Sequence, residues 1–401
     1  MIVYEPRAKW TQDSFVAKFI EKAGCKDFPS LLLKSQKDPE WFWELALKDM
    51  GLQFRTPYKK LLAEGLPWPK WALGGEISVV ENCIDRHLKD HGSDTALIFE
   101  ADKPGESVSW TFNDLARESH FIAEELKKKG AQKGDRAALL MPMSLEMAAA
   151  FFGILRAGLT VVPIFSGYGA EAISSRLEDS KARFIFVQEK TTRRGKEIPV
   201  RSTLDEALKT SPSIEHTLIL KRADFISQNH QASSSYHSVA SPAESPVLLL
   251  YTSGTTGKPK ACVHTSFGVL ATTGKELRYT FDVKRSDRFF WYTDIGWMMG
   301  PWELFGVLQY GAAVVLFEGV PDFPEPDRLW KIIDDHQITH LGIAPTAIRV
   351  LKKAGDSFVE KHSLKSLRIL GSSGETWDEE SWKWFFEKVG KTKCPIMNMS
   401  G

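Results

Sequence analysis

The chain has 401 residues, 43 % hydrophobic and 26 % charged, which suits a globular protein with more than one core and excludes a disordered or fibrous one. Lys and Arg number 52 against 51 Asp and Glu, so no overall field gathers nucleic acid or an anionic membrane, and any anion site is local. Cys25, Cys83, Cys262 and Cys394 stand far apart without a CxxC pair, which fits structural thiols in a reducing cytoplasm rather than a disulfide framework or zinc site.

The opening MIVYEPRAKW lacks the apolar core of a signal peptide, and the longest apolar stretch, 147–155, is too short to span a bilayer; a cytoplasmic protein without a membrane span is expected. Residues 1–75 carry aromatics and lysines at helical spacing and read as a helical extension. Next comes an amphipathic helix in which Val80, Cys83, Ile84, His87 and Leu88 recur at three and four. Thr111 followed by Asp114 has the form of a capping box for a helix that stops at Gly130. Strands over 136–141, 160–164 and 183–187 then alternate with helices over 145–157 and 170–179, the βαβ arithmetic of a parallel sheet.

Residues 227–246, Ser-rich and punctuated by Pro, read as an exposed connection between a first α/β lobe at 76–226 and a second at 247–401. The second lobe repeats the alternation: helices over 266–278, 327–336 and 378–389, and strands over 289–292, 313–317, 339–343, 367–370 and 395–399. The fold expected is α/β, two doubly wound and mostly parallel sheets flanked by helices. Ligands then bind at the carboxyl ends of the strands.

One segment concentrates anion-binding chemistry. After the apolar run 247–250 comes YTSGTTGKPK at 251–260. Gly254 and Gly257 permit positive φ and close backbone approach, the hydroxyls of Thr252, Ser253, Thr255 and Thr256 donate, and Lys258 and Lys260 add charge. A Walker A loop has four residues between its first Gly and its Gly-Lys pair, then Ser or Thr; here two intervene and Pro259 follows Lys258. His87 with His91, and His336 with His340, lie four apart on expected helices but have no third ligand in reach, so no metal site is assigned.

YTSGTTGKPK resembles the phosphate-binding signature of the adenylate-forming superfamily of acyl-CoA synthetases, luciferases and peptide-synthetase adenylation domains. NCIDRH at 82–87, DIGW at 294–297, LFEGVP at 316–321, APTAIR at 344–349 and LRILGSSGE at 367–375 are similar to the acetyl-CoA synthetase branch in order and register. The resemblance implies an AMP-forming acyl-CoA synthetase: a carboxylic acid and ATP, with Mg2+, give acyl-AMP and pyrophosphate, and the thiol of coenzyme A displaces AMP. Adenylation for a carrier-protein thiol is the alternative, and an inactive nucleotide-binding protein a third.

By the same resemblance, 252–260 clamp pyrophosphate, with Thr252 and Lys258 in the catalytic set; His264 joins them because it stands just after the loop. Gly374, Glu375 and Thr376 lie against adenine, Thr376 standing where the family has Pro, and Asn398, Met399, Ser400 and Gly401 continue the nucleotide site. Arg193 and Lys196 are implied partners of the 3′-phosphate of coenzyme A, Lys196 replacing the family's second Arg, and Ala344 borders the pantetheine path. Trp297, Met298 and Met299 line the acyl group. Gly401 stands where acetate-using relatives have Trp, which implies an acid longer than acetate. NMSG at 398–401 falls inside a family motif, so the magnesium Glu, the ribose Asp, the hinge and the C-terminal Lys are expected beyond this chain, and the chain alone is expected to be inactive.

Overall fold

Strands without polar alternation are buried on both faces, the condition for a parallel sheet between helical layers. The structure is a computed structural model that describes residues 8–63, 65, 67–188, 190–226, 230, 236–252 and 259–399. Phe184–Gln188 and Ala313–Phe317 are buried at every position. The first large sheet has the spatial order His216–Leu220, Phe184–Gln188, Arg136–Leu140, Thr160–Pro163, Pro246–Tyr251, Ala261–Thr265. The second runs Ile396–Met399, Ile369–Ser373, His340–Gly342, Arg288–Trp291, Ala313–Phe317, Thr95–Glu100, Ser107–Thr111. All neighbours are parallel except the last pair of each sheet. This is the expected fold class.

Alternation along the strands divides the core. Leu139, Val161 and Phe186 of the first sheet share one cluster with Phe99, Phe289 and Leu316 of the second, joined through the helices Leu145–Arg156 and Met299–Gln309. The opposite faces pack separately, Ala138 and Val162 under Ala170–Ser180, and Val315 and Phe317 under Arg328–Asp335. A shared middle layer holds the two sheets together.

Several expectations need correction. The sheets do not follow the expected lobes at 76–226 and 247–401. Pro246–Tyr251 and Ala261–Thr265 complete the first sheet, while Thr95–Glu100 and Ser107–Thr111 lie at the edge of the second. Among the described residues the N-terminal region has four helices, Ala8–Gln12, Phe15–Lys22, Phe28–Lys37 and Pro39–Met50, but Lys60–Ala63 and Lys70–Leu73 form a hairpin that its aromatic spacing hid. The helix at 80–88 is broken: Val79–Cys83 gives way at Ile84 to the 3-10 turn Asp85–His87, then to Leu88–His91. His336 ends one helix and His340 begins a strand, so they share no helical face.

Residues 227–229 and 231–235 of the Ser-rich segment lie outside the described residues, and the rest of it is not an exposed tether. Ser241–Pro242 pairs with Glu76–Ile77, and buried Ser238 donates to Asp85 (2.6 Å) and accepts from Arg156 (2.8 Å). Arg156 is in turn held by Asp85 (2.8 Å), so Ser238 completes a largely buried ion pair. Among the described residues no helix is long and apolar enough to cross a membrane.

Candidate active site

A cavity of about 1500 Å³ opens where the carboxyl ends of both sheets converge. Each strand delivers its wall through the residues that follow it: Pro142 and Met143 after Arg136–Leu140, Phe165 and Ser166 after Thr160–Pro163, Asp294 after Arg288–Trp291, and Glu318 after Ala313–Phe317. Ala344 follows His340–Gly342, and Gly374 and Glu375 follow Ile369–Ser373. This is the ligand position expected for open α/β sheets.

Trp291 forms part of the floor. Its indole lies over two glycines of neighbouring strands: a Cβ at Gly342 would stand 1.9 Å from the ring, and one at Gly371 2.7 Å. Beyond Trp291 the DIGW turn crosses to the other sheet. Asp294 accepts from Ser166 Oγ (2.6 Å) and from Gly296 N (2.8 Å), and a Cβ at Gly296 would meet Phe165 N at 2.3 Å. Burial pushes the Asp294 carboxyl up to about 6 against this hydrogen bonding. Burial also pushes the Tyr292 phenol up to about 12, so it stays protonated and donates to Gly319 O (3.3 Å).

The SSGE and APTAIR segments are tied together. Gly374 has φ +92, which turns the chain sharply after the strand. Glu375 then accepts from Thr346 N (3.2 Å) and Thr346 Oγ1 at the start of the helix Pro345–Ala354, and pairs with Arg349 of the same helix. The Thr346 hydrogen bonds and Arg349 hold this carboxyl below its ordinary range, despite slight desolvation.

The basic segment 190–199 is a hairpin, Lys190–Arg193 paired with Lys196–Pro199. Its tip is anchored to the other sheet: Gly195 N and Arg194 N donate to Asp102 (2.7 and 3.2 Å), and Arg194 pairs with Asp322 (2.7 Å). Arg193 lines the cavity. Lys196 is its cross-strand neighbour but is exposed and does not line it.

The ends of the 251–260 segment are fixed as a hairpin. Tyr251 pairs with Ala261, and Thr252 N donates to Lys260 O (3.1 Å). Ser253, Gly254, Thr255, Thr256, Gly257 and Lys258 lie outside the described residues, as do Ser400 and Gly401; Thr252 and Lys260 are exposed and not on the cavity wall. His264 does line it, and burial pushes its imidazole down, so it is neutral at pH 7. Trp297, Met298, Met299 and Met399 line it too, whereas Thr376 and Asn398 face solvent.

Two helices frame another part of the cavity: one was expected over 266–278 but given no place in the site, and the other, Met299–Gln309, the sequence reading missed. Ser266–Lys275, capped by Thr265 Oγ1 accepting from Gly268 N (3.1 Å), runs on into a π-turn, Glu276–Thr280. Gly268, Val269, Thr272, Thr273 and Glu276 line the cavity at three- and four-residue spacing, a pattern visible in the sequence. Facing them is the helix Met299–Gln309, with Met299 and Trp302 on the wall. Trp302 Nε1 donates to Glu276 Oε2 (2.7 Å) and locks one helix to the other.

A two-sheet α/β protein with a large cavity at converging strand ends, bordered by the DIGW, APTAIR and SSGE segments, belongs among the α/β proteins that bind their ligands at the carboxyl ends of the strands. The chain belongs to the AMP-binding enzyme family, whose sequence profile matches residues 84–401; a second profile, the acetyl-coenzyme A synthetase N-terminus, matches 29–83. It is 35 % identical over 400 residues to acetyl-coenzyme A synthetase 1 of Saccharomyces cerevisiae, covering 94 % of this chain and 56 % of that protein. It is 38 % identical over 384 residues to the acetyl-coenzyme A synthetase of Salmonella typhimurium, covering 91 % and 59 %. The chain thus spans less than two thirds of the length of these relatives. Its fold is also that of acetoacetyl-CoA synthetase from Streptomyces lividans, at a TM-score of 0.92 and 24 % identity, over 100 % of this chain and 64 % of that one.

Proposed function

We propose that this chain is the nucleotide- and acyl-binding part of an AMP-forming acyl-CoA synthetase, which joins a carboxylic acid to ATP with loss of pyrophosphate and passes the acyl group to coenzyme A. The observation that carries the reading is convergence: DIGW, APTAIR, SSGE, His264 and Arg193 come from distant parts of the chain and border one cavity. Such a reaction brings two anions together, so donors must meet phosphate charge where it develops. Lys258 and the hydroxyls of 252–256 supply them in this reading, and Gly374 and Glu375 hold the base. Mg2+ enters as the complex with ATP; among the described residues no group of three or more His, Cys, Asp or Glu could hold a metal ion. Arg193 takes the 3′-phosphate of coenzyme A, with Ala344 beside the thiol arm.

The acid is longer than acetate in this reading, because Gly401 leaves room where acetate-using relatives close the pocket with Trp, and each buried methylene contributes about 0.8 kcal/mol. Acid-dependent exchange of pyrophosphate into ATP by the full-length protein tests the whole proposal. Lys258→Ala should slow it about a hundredfold. Across straight-chain acids, kcat/KM should rise from acetate to butyrate and the order should reverse in Gly401→Trp. Exchange that ignores Lys258→Ala removes the loop from the mechanism; preference for acetate, unaltered by Gly401→Trp, removes the substrate assignment.

A further inference from the structure

The helices Ser266–Lys275 and Met299–Gln309 line one part of the cavity with Val269, Thr272, Thr273, Met299 and Trp302, beside Trp291. Glu276, at the end of the first helix, puts a carboxylate on that wall. From Gly268, at the start of this helix, to Glu276 is two turns and a little more of helix, about 12 Å at the usual rise. An acid lying along the helix with its carboxyl at the Gly268 end would therefore direct its far end at Glu276.

Glu276 is incompletely used by the fold. Oε2 accepts from Trp302 Nε1 (2.7 Å), and among the described residues nothing else bonds either oxygen and no cation pairs with the group. The nearest basic residues in sequence are engaged elsewhere: the Lys275 ammonium faces the Trp43 ring, and Arg278 is bonded to Asp49 (2.8 Å). The helix changes from α to π at Glu276 itself, a distortion that often accompanies a functional position. A methyl-ended acid would strip water from this carboxylate without replacing its partners. A hydroxyl end would give one hydrogen bond and leave the charge uncompensated. A cationic end compensates the charge and rests against indole faces, the surroundings in which alkylammonium groups are favourable.

Resting on the acyl-activating reading above, we propose that Glu276, with Trp302 and Trp291, selects a carboxylic acid whose far end carries a cationic nitrogen. The test is calorimetric binding to the chain in the presence of ATP, using acids that end in trimethylammonium and their tert-butyl isosteres of equal length. The trimethylammonium acid should bind about tenfold or more tightly than its isostere at the best chain length. Glu276→Gln keeps an oxygen for the Trp302 indole and should bring the ratio to about one by weakening the cationic acid alone. Equal binding of both acids, or a preference that survives Glu276→Gln, overturns the proposal while ATP binding leaves the nucleotide reading standing. ATP binding with no binding of either acid overturns it as well, and absence of ATP binding removes the nucleotide reading together with it.

Discussion

Trp291 owes its position to what its neighbours lack. Any side chain at Gly342 or Gly371 would occupy the volume of the indole, so two glycines on adjacent strands make a large aromatic floor possible at the mouth of a close-packed sheet. The backbone N of Trp291 donates to the fully buried Glu303 (3.0 Å), whose other oxygen has no hydrogen-bond partner among the described residues; burial pushes this carboxyl well above its ordinary range. Asp294, three residues on, is the titratable counterpart. Its folded pKa of about 6 exceeds the ordinary 3.8, so between these values the folded chain holds more protons than the unfolded chain. The contribution of Asp294 to stability therefore falls as pH rises from about 4 to about 6 and is level above. Asp294→Asn removes that loss and keeps an acceptor for Ser166. The variant should gain on the wild type by about 1 to 2 kcal/mol between pH 4 and pH 7, allowing for solvent in the cavity. Urea unfolding at the two pH values measures this, and a difference that does not change with pH removes Asp294 as the titrating group.

At the scale of elements, what was legible follows from periodicity. The strand Ala313–Phe317 and the capping box at Thr111, where Asp114 N donates to Thr111 Oγ1 (3.1 Å), came directly from local pattern. The helix Met299–Gln309 did not, because all ten residues from Gly300 to Gln309 are buried and an all-round apolar helix has no polar face to betray its period. Pro345–Ala354 was visible only as the motif APTAIR, although its proline at the first turn is a helix start. The link between that helix and the SSGE turn was out of reach: Glu375 and Arg349 are 26 residues apart and meet only because their strands are neighbours. Their bond is open to solvent, so it adds little to stability and serves to hold the turn. Arg349→Ala should accordingly weaken ATP binding several-fold by calorimetry while shifting the urea midpoint little. A large loss of stability with unchanged ATP affinity would make the pair a purely structural tie.

At the scale of the molecule, the order of strands decides how the chain can be divided, and that order is not written locally. Residues 1–226 supply four strands of the first sheet and two of the second; the remainder supplies two of the first and five of the second. A cut inside the Ser-rich segment would leave Thr160–Pro163 without Pro246–Tyr251, exposing a buried parallel strand as an edge, and would strip Ala313–Phe317 of Thr95–Glu100. It would also open the shared middle layer, where Phe151 and Phe152 of one fragment pack against Phe305 of the other, and would part Arg156 and Asp85 from Ser238. Fragments 1–226 and 227–401, produced separately, should therefore lack cooperative thermal transitions and near-ultraviolet circular dichroism, and should regain both when refolded together. A sharp, independent transition in fragment 1–226 would show that the exchanged strands are dispensable and that the boundary read from composition is a true domain boundary.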